Sequence, residues 1–304
     1  MPFSFNSVIT KPASPRKSLI KKHPVLSPLV LLIILLSIYY MINSKTGVPV
    51  IGIVPVEGVI LESETIIKKI RVLENNPAVK GIVIHINSPG GAVAPSQEIY
   101  EEVLRIREKI PVYASMSSVA ASGGYYIAIG ANKIYANSGS ITGSIGVILQ
   151  TYNIKQLMDK IGIYPEVIKS GENKDIGSSF RKMTSTEKKL LKDLISDTHQ
   201  QFIEAVAKNR PLELTSVKKL ADGRVFTGNQ AIQAKLVDHI GTFRQTIQQL
   251  SKSVGIKDNY DIYYAPDEKD TLLGKLDLLD SISKIKKSFF TGGVFFLAPD
   301  LVSP

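Results

Sequence analysis

Two kinds of apolar pattern alternate along the chain from residue 50 onward. Residues 50–56 form a compact β-branched run, residues 62–75 carry Ile66, Ile70 and Leu73 at helical spacing, and residues 81–86 are again continuously apolar. Helical spacing returns over residues 95–109, with Ile99, Val103 and Ile106, before a third short apolar run at 111–116. Short runs bounded by polar turns read as strands, and the longer periodic stretches read as helices that cover them. The alternation predicts an α/β domain with a mostly parallel sheet and right-handed crossovers. In such a sheet the functional loops leave the carboxyl ends of the strands.

The later part of the chain is less regular. Residues 164–169 are strand-like, and Thr184 opens T-S-T-E, a helix-start signature. A helix over 188–208 follows, with Leu191, Ile195, Phe202 and Val206 on one side. Residues 222–228 read as a polar turn around Val225 and Phe226, and 229–237 as a short helix. Residues 272–287 have the pattern of a terminal helix. The apolar tail at 289–297 contains Gly292 and Gly293, which argue against a membrane span there.

The N-terminus follows a different rule. Residues 25–42 run 18 positions without a charge, and at ~1.5 Å per residue such a helix approaches the roughly 30 Å of a bilayer's hydrocarbon core. Residues 1–24 carry Lys11, Arg16, Lys17, Lys21 and Lys22 and no acidic residue. This predicts a transmembrane anchor over 25–43, with the basic tail 1–24 cytoplasmic and everything after Ser44 on the far side. A cleaved signal peptide is the rival reading, but its apolar core is usually shorter, and residues 41–47 offer no clean small-x-small cleavage site. Pro28 lies near the start of the run, where a first-turn proline loses no hydrogen bond. The expected division is tail 1–24, anchor 25–43, α/β domain 44–256 and C-terminal extension 257–304.

Composition narrows the chemistry. The chain has 304 residues and 44% hydrophobic content, ample for a core. Its formal net charge of +10 raises the question of nucleic acid. The basic residues are scattered, however, with no aromatic-rich basic stripe and no zinc spacing, so no nucleic-acid partner is expected. The chain has no cysteine, which excludes thiol catalysis, a disulfide framework and cysteine-ligated zinc.

The candidate chemistry centres on residues 118–126, S-V-A-A-S-G-G-Y-Y, just after the strand at 111–116. Two alanines precede Ser122, and Gly123 and Gly124 follow it, so the backbone can turn sharply and leave the hydroxyl clear. If the apolar run at 125–129 is helical, the amides after Ser122 lie at a helix N-terminus and favour a developing oxyanion. Alanine and glycine that merely let a helix pack close on a strand would look the same. A second glycine-rich loop, N-S-P-G-G at 87–91, ends the strand at 81–86 and offers a further amide donor, or a plain tight turn.

A serine nucleophile needs a base. The four histidines are His23 before the anchor, His85 inside a strand, His199 in a helical stretch and His239 in a late turn, and none is well placed. Lysine is the remaining choice. Lys174 lies in the loop K-S-G-E-N-K-D at 169–175, where Lys169 competes with it, and residue physics alone does not choose between them. A lysine base must be neutral, so its reference pKa of about 10.4 must fall by roughly 3 units through burial in an apolar or positive site. Ser144, in T-G-S-I-G-V, offers a hydroxyl to orient the amine, or simply caps a turn.

Taken together, N-S-P-G-G at Asn87, S-V-A-A-S-G-G-Y-Y at Ser118, T-G-S-I-G-V at Thr142, K-S-G-E-N-K-D at Lys169 and D-G-R-V-F-T-G at Asp222 resemble the bacterial signal peptide peptidase A family. The resemblance covers residues 50–255, and A-K-L-V-D-H-I-G at 234–241 resembles the family's carboxyl-terminal signature. It implies a Clp-protease/crotonase-like fold and a serine–lysine endopeptidase, anchored in the bacterial cytoplasmic membrane, that cleaves remnant signal peptides or other unfolded membrane-associated chains. Ser122 becomes nucleophile and Lys174 general base. Ser144 falls where the family places a lysine-orienting serine, and Gly91 and Gly123 where it builds the oxyanion hole. No metal and no cofactor are implied. Some family members carry two tandem repeats, with base and nucleophile in different repeats. This single-copy chain resembles the short form, which implies a homo-oligomeric ring whose subunits share active sites.

Two readings from other classes use the same fold. A crotonase-type acyl-CoA enzyme would aim the paired amides at a thioester and would need neither a Ser122–Lys174 pair nor an anchor. A non-catalytic membrane scaffold would be indicated by a substituted nucleophile or base, and neither position is substituted here.

Overall fold

Strands and crossover helices alternate as the apolar pattern predicts. The computed structural model describes residues 26–43, 48–256, 258–266 and 295–297. It divides into two units, residues 1–47 and 48–304. The first contains α1 (Leu26–Asn43). The second begins with β1 (Val50–Glu57), α2 (Glu64–Glu74), β2 (Val79–Ser88), β3 (Gly90–Ala92), α3 (Val93–Arg107), β4 (Val112–Ala121) and α4 (Gly123–Ala128). Next come β5 (Lys133–Ala136), β6 (Ile141–Gly143), α5 (Lys155–Lys160), α6 (Ser185–Asn209) and α7 (Leu214–Leu220). Last are β7 (Val225–Thr227), α8 (Gly228–Gln233), β8 (His239–Ile240), α9 (Phe243–Ser253), β9 (Asp261–Tyr264) and β10 (Phe295–Leu297).

The main sheet runs β7-β6-β4-β2-β1-β9, with β5 pairing both β4 and β8. Every pairing in it is parallel except β6 with β7. This is the Clp-protease-like α/β fold with a mostly parallel sheet. The period of two along the strands sorts the core into two faces. On β1 and β2, Val54, Val56, Ile82, Ile84 and Ile86 pack with Ile70, Ile99, Val103 and Phe202 on one face. Ile51, Ile53 and Val83 pack with Ile247 and Leu250 of α9 on the other. Burial on both faces is why these strands are continuously apolar rather than alternating.

Three expectations need correction. Residues 164–169 are not a strand: Tyr164 and Val167 are 76% and 55% exposed, and an extended segment without a neighbouring strand has no ladder to join. Residues 222–228 are more than a turn, because Val225–Thr227 form β7, antiparallel to β6. The strand expected to end at 116 continues to Ala121. Its register on β2 shifts between Ile86↔Met116 and Ser88↔Ala120, and β6 then takes over as partner of Val119, Ala120 and Ala121. The polar residues Ser117 and Ser118 hide that continuation from an apolar count. The helix expected at 272–287 lies outside the described residues.

The expected anchor region is helical as α1, without a charged residue along its length. Among the described residues, no helix is long and apolar enough to cross a membrane. Within α1 the described side chains are those of residues 28 and 30–39, and their large apolar members are exposed.

The long helix α6 starts as its sequence predicts. Thr184 Oγ1 accepts from the Glu187 amide at 3.1 Å, and the Glu187 carboxylate accepts from the Thr184 amide at 2.8 Å, closing a capping box. Thr184→Ala should retain the fold and lower the free energy of unfolding by ~1 kcal/mol, read from urea denaturation.

Candidate active site

Ser122 stands where a strand ends and a helix begins. Its φ of 54° lies in the left-handed region that non-glycine residues avoid, a conformation costing about 1–3 kcal/mol when side chains are present. Flanking bonds hold it there: Ser122 N donates to Gly143 O at 2.8 Å, and Ser122 O accepts from Tyr126 N at 2.8 Å. The residue is fully buried, and among the described residues nothing hydrogen-bonds to its Oγ. An unpartnered buried hydroxyl on a strained turn is a hydroxyl kept for something other than structure.

The glycine-rich loops meet beside it. A side-chain carbon on Gly123 would lie 3.2 Å from Gly91 N, and one on Gly124 would lie 2.9 Å from Ser88 O. The turn after Ser122 is thus pressed against the loop that ends β2, as only glycine permits. Gly91 is fixed from its other side, where a side chain would meet Ile60 O at 2.0 Å. Ile60 N donates to Gly90 O and Ala92 N donates to Ile60 O, at 2.9 and 2.7 Å. Because successive strand residues direct their peptide groups to opposite edges, the N–H and C=O of Gly91 point away from Ile60. Gly123 opens α4, so its amide has no acceptor within that helix.

Ser144 is brought to the same place. Gly143, whose carbonyl holds Ser122, immediately precedes it, and Ser144 is buried with φ of 49°. Its amide donates to Arg224 O at 2.9 Å, and Phe226 covers Gly143 so closely that a side chain there would meet the ring at 2.5 Å. The segment at 222–228 therefore acts as a clasp over the loop carrying Ser144.

Lys174 is not brought to Ser122 within the chain. It is exposed, in the turn where its amide donates to Gly171 O at 3.1 Å. Its competitor Lys169 is committed to holding that loop, donating to Asp175 Oδ1 at 2.6 Å and to Glu172 O at 2.7 Å. Arg181 completes the clamp, bonding Asp175 Oδ2 at 2.8 Å and both oxygens of Glu187. Arg181 and then Lys169 hold the Asp175 carboxyl well below the usual carboxylate range. The Arg181 guanidinium, followed by the Thr184 amide, brings Glu187 down to about 2.

No described histidine bonds to Ser122 Oγ. His85 packs on Phe243 at 4.2 Å between ring centroids, and burial lowers its pKa, favouring the neutral ring. His199 lies in α6, His239 lies in β8, and His23 lies outside the described residues.

Comparison with known proteins identifies the family. The model of peptidase family S49 matches residues 105–257, which contain Ser122, Gly123, Ser144 and Lys174. The chain belongs to peptidase family S49. The Clp protease family model also matches, over residues 55–142. Among similar S49 relatives, the Synechocystis sp. protein named "Putative protease slr0021" is 44% identical over 64% of this chain and 69% of its own length. An Enterococcus faecium protein named "Putative signal peptide peptidase SppA" is 37% identical over 67% of this chain. This chain spans 60% of that relative's length. "Protease 4" of Haemophilus influenzae is 34% identical over 67% of this chain and 35% of its own length.

One contributor to this S49 site was missed in the sequence. Ser88, noted above only as a letter of the N-S-P-G-G loop at 87–91, is fully buried. Its Oγ donates to Gly58 O at 2.6 Å and accepts from Gly90 N at 3.1 Å, pinning the Gly90–Gly91 loop to the end of β1. A serine between a strand and Pro-Gly-Gly is the signal that was available.

Gly91→Ala should abolish turnover while leaving secondary structure by circular dichroism near wild type, because the added methyl meets backbone rather than a movable side chain. The clamp predicts a pH dependence. Glu187 has a folded pKa of about 2 against an ordinary 4.5, so its contribution is complete above 4.5 and is lost as pH falls toward 2. The difference in melting temperature between wild type and Arg181→Ala should therefore be full at pH 6 and shrink as pH falls from 4.5 toward 2, with a remainder there from the Arg181–Asp175 pair, whose carboxyl stays ionised lower still.

Proposed function

We propose that the chain is a membrane-anchored serine endopeptidase that hydrolyses remnant signal peptides or other unfolded membrane-associated chains, with Ser122 as nucleophile and Lys174 as general base. The observation that carries the reading is the buried, unpartnered Ser122 hydroxyl on a strained turn, with Gly91 and Gly123 pressed together beside it. In this mechanism the neutral Lys174 amine takes the Ser122 proton as Oγ attacks the scissile carbonyl. The amides of Gly91 and Gly123 hold the oxyanion. The lysine then gives its proton to the departing amine, leaving an acyl-serine that water hydrolyses with the same lysine as base. Ser144, on the neighbouring strand end, orients the amine.

The base comes from a neighbouring subunit. Lys174 sits on an excursion at 150–181 whose Tyr152, Leu157, Ile161, Ile163, Tyr164 and Val167 are exposed, and α5 within it buries nothing. Apolar residues gathered this way favour a second copy of the chain as their cover, and a repeated heterologous contact closes into a ring. Burial in that contact supplies the desolvation that a neutral lysine requires. The uncharged sequence at 25–42, preceded by a basic tail, supports an anchor that leaves the tail cytoplasmic and the peptidase outside the inner membrane. The name of the Enterococcus relative supports the substrate class.

Mixing tests the dyad and its sharing together. Ser122→Ala and Lys174→Ala chains should each be inactive, and rings assembled from both should regain part of the wild-type peptide hydrolysis. Inactive rings shown by native mass spectrometry to contain both chains would mean that Ser122 and Lys174 are not paired across subunits.

A further inference from the structure

The A-K-L-V-D-H-I-G stretch at 234–241 supplies no group to the chemistry, yet groups from three distant elements converge on it. It closes α8 in a Schellman turn: Lys235 N donates to Ile232 O at 3.1 Å, Leu236 N donates to Ala231 O at 2.8 Å, and Lys235 takes the left-handed φ of 60° that the reversal requires. The carbonyls after the turn are held from elsewhere. Arg210, just past the end of α6, donates from Nε to Lys235 O at 3.1 Å, and from Nη1 and Nη2 to the Asp238 carboxylate at 2.9 and 3.3 Å. Asp238 Oδ2 also accepts from the Ile134 amide at 2.8 Å, and the Asp238 amide donates to Ile134 O at 2.9 Å, which ties the loop to β5. Leu236 O, between these two anchors, accepts from the Tyr125 hydroxyl at 2.9 Å.

Tyr125 belongs to the helix that starts at the candidate nucleophile. α4 has six residues and opens with two glycines, so it has little helical stability of its own, and its direction is set by what its side chains grip. Tyr126 packs its ring 4.9 Å from that of Tyr100 of α3 and 4.8 Å from that of Phe202 of α6, between centroids. Tyr125 instead grips the 234–238 loop, 111 residues away in sequence. It is fully buried, and burial raises its pKa, so the phenol keeps the proton that it donates. Gly123 precedes it by two residues, so a helix released at the Tyr125 hydroxyl can redirect the Gly123 amide. An oxyanion donor acts only within about 2.7–3.1 Å of the developing charge, and small misaiming costs rate.

We propose that Tyr125 is a positioning residue for the oxyanion: its hydroxyl fastens α4 to the loop that Arg210 and Asp238 hold on β5, and this fixes the direction of the Gly123 amide. The proposal rests on the peptidase reading for what the amide receives, but not for the tether itself. Formation and hydrolysis of the acyl-serine pass through the same oxyanion, so a misaimed donor slows both alike, which lowers kcat and leaves KM in place. Removing such a donor outright costs roughly 10²–10³ in rate, and turning one aside should cost roughly tenfold.

The test uses the full chain carrying Tyr125→Phe, which keeps the ring in the core and removes only the hydroxyl. Hydrogen exchange over residues 123–129 should be faster than in wild type, with exchange over β2 unchanged. Equal exchange over α4 would show that the tether does not hold the helix and would overturn the proposal whatever the enzyme does. For an apolar peptide, kcat should fall about tenfold at constant KM. A peptide aldehyde, whose hemiacetal with Ser122 places its oxygen in the oxyanion position, should bind more weakly by the same factor. Faster exchange with an unchanged kcat, or a rise in KM at constant kcat, would overturn the positioning role. Thr242→Ala, which removes the capping box of α9, separates positioning from stability: it should lower the urea midpoint and leave kcat and aldehyde affinity at wild-type values. A comparable loss of kcat there would assign the effect to general destabilisation and overturn the proposal. Turnover that is absent from wild type, or that survives Ser122→Ala, would reject the peptidase reading and the oxyanion role with it, while exchange over α4 still decides the tether.

Discussion

The site depends on backbone segments approaching more closely than any side chain allows. The turn after Ser122, the loop after β2 and the segment around Ile60 stack within contact distance, and Gly91, Gly123 and Gly124 are the residues that let them do so. Once these segments are stacked, the left-handed conformation at Ser122 has nowhere to relax, since the carbonyl of Gly143 and the amide of Tyr126 hold it from both sides. Ser88 sets the height of the stack by tying Gly90 to Gly58. The wide buried faces of β1, β2 and β4 supply the rigidity that such an arrangement requires.

Much of this was readable from residue types alone. Strands 50–56 and 81–86 and the helices covering them follow directly from apolar spacing, and the capping box at Thr184 was legible from four letters. What spacing did not reveal depended on partners distant in sequence. The extension of β4 to Ala121 needs β6, and β7 needs the same neighbour from its other side. The segment at 164–169 has strand composition but pairs with no strand among the described residues, so composition alone gives the wrong answer. Likewise Lys169 and Lys174 were indistinguishable until the Asp175–Arg181–Glu187 clamp engaged the first and left the second outside it.

The two halves of the proposed dyad are built on opposite principles. Ser122 is held by buried backbone bonds in the middle of a packed sheet. Lys174 is carried on a polar loop that a cluster of ion pairs attaches to the start of α6, flanked by apolar residues without cover. These part-buried ion pairs fix where the loop leaves the domain. In the proposed mechanism the nucleophile is thus complete in a single chain, whereas the base awaits a neighbour.

The position of β1 bears on how the domain forms during synthesis. β1 is the first strand made, yet it lies between β2 and β9, and its pairing of Val50 with Asp261 joins residues about 210 positions apart. A ribosome must deliver nearly the whole domain before that edge of β1 is covered. Until then a β-branched strand stands with one open ladder, as the edges of other unfolded chains do. An enzyme proposed to clear such chains would pass through the same aggregation-prone state as its substrates.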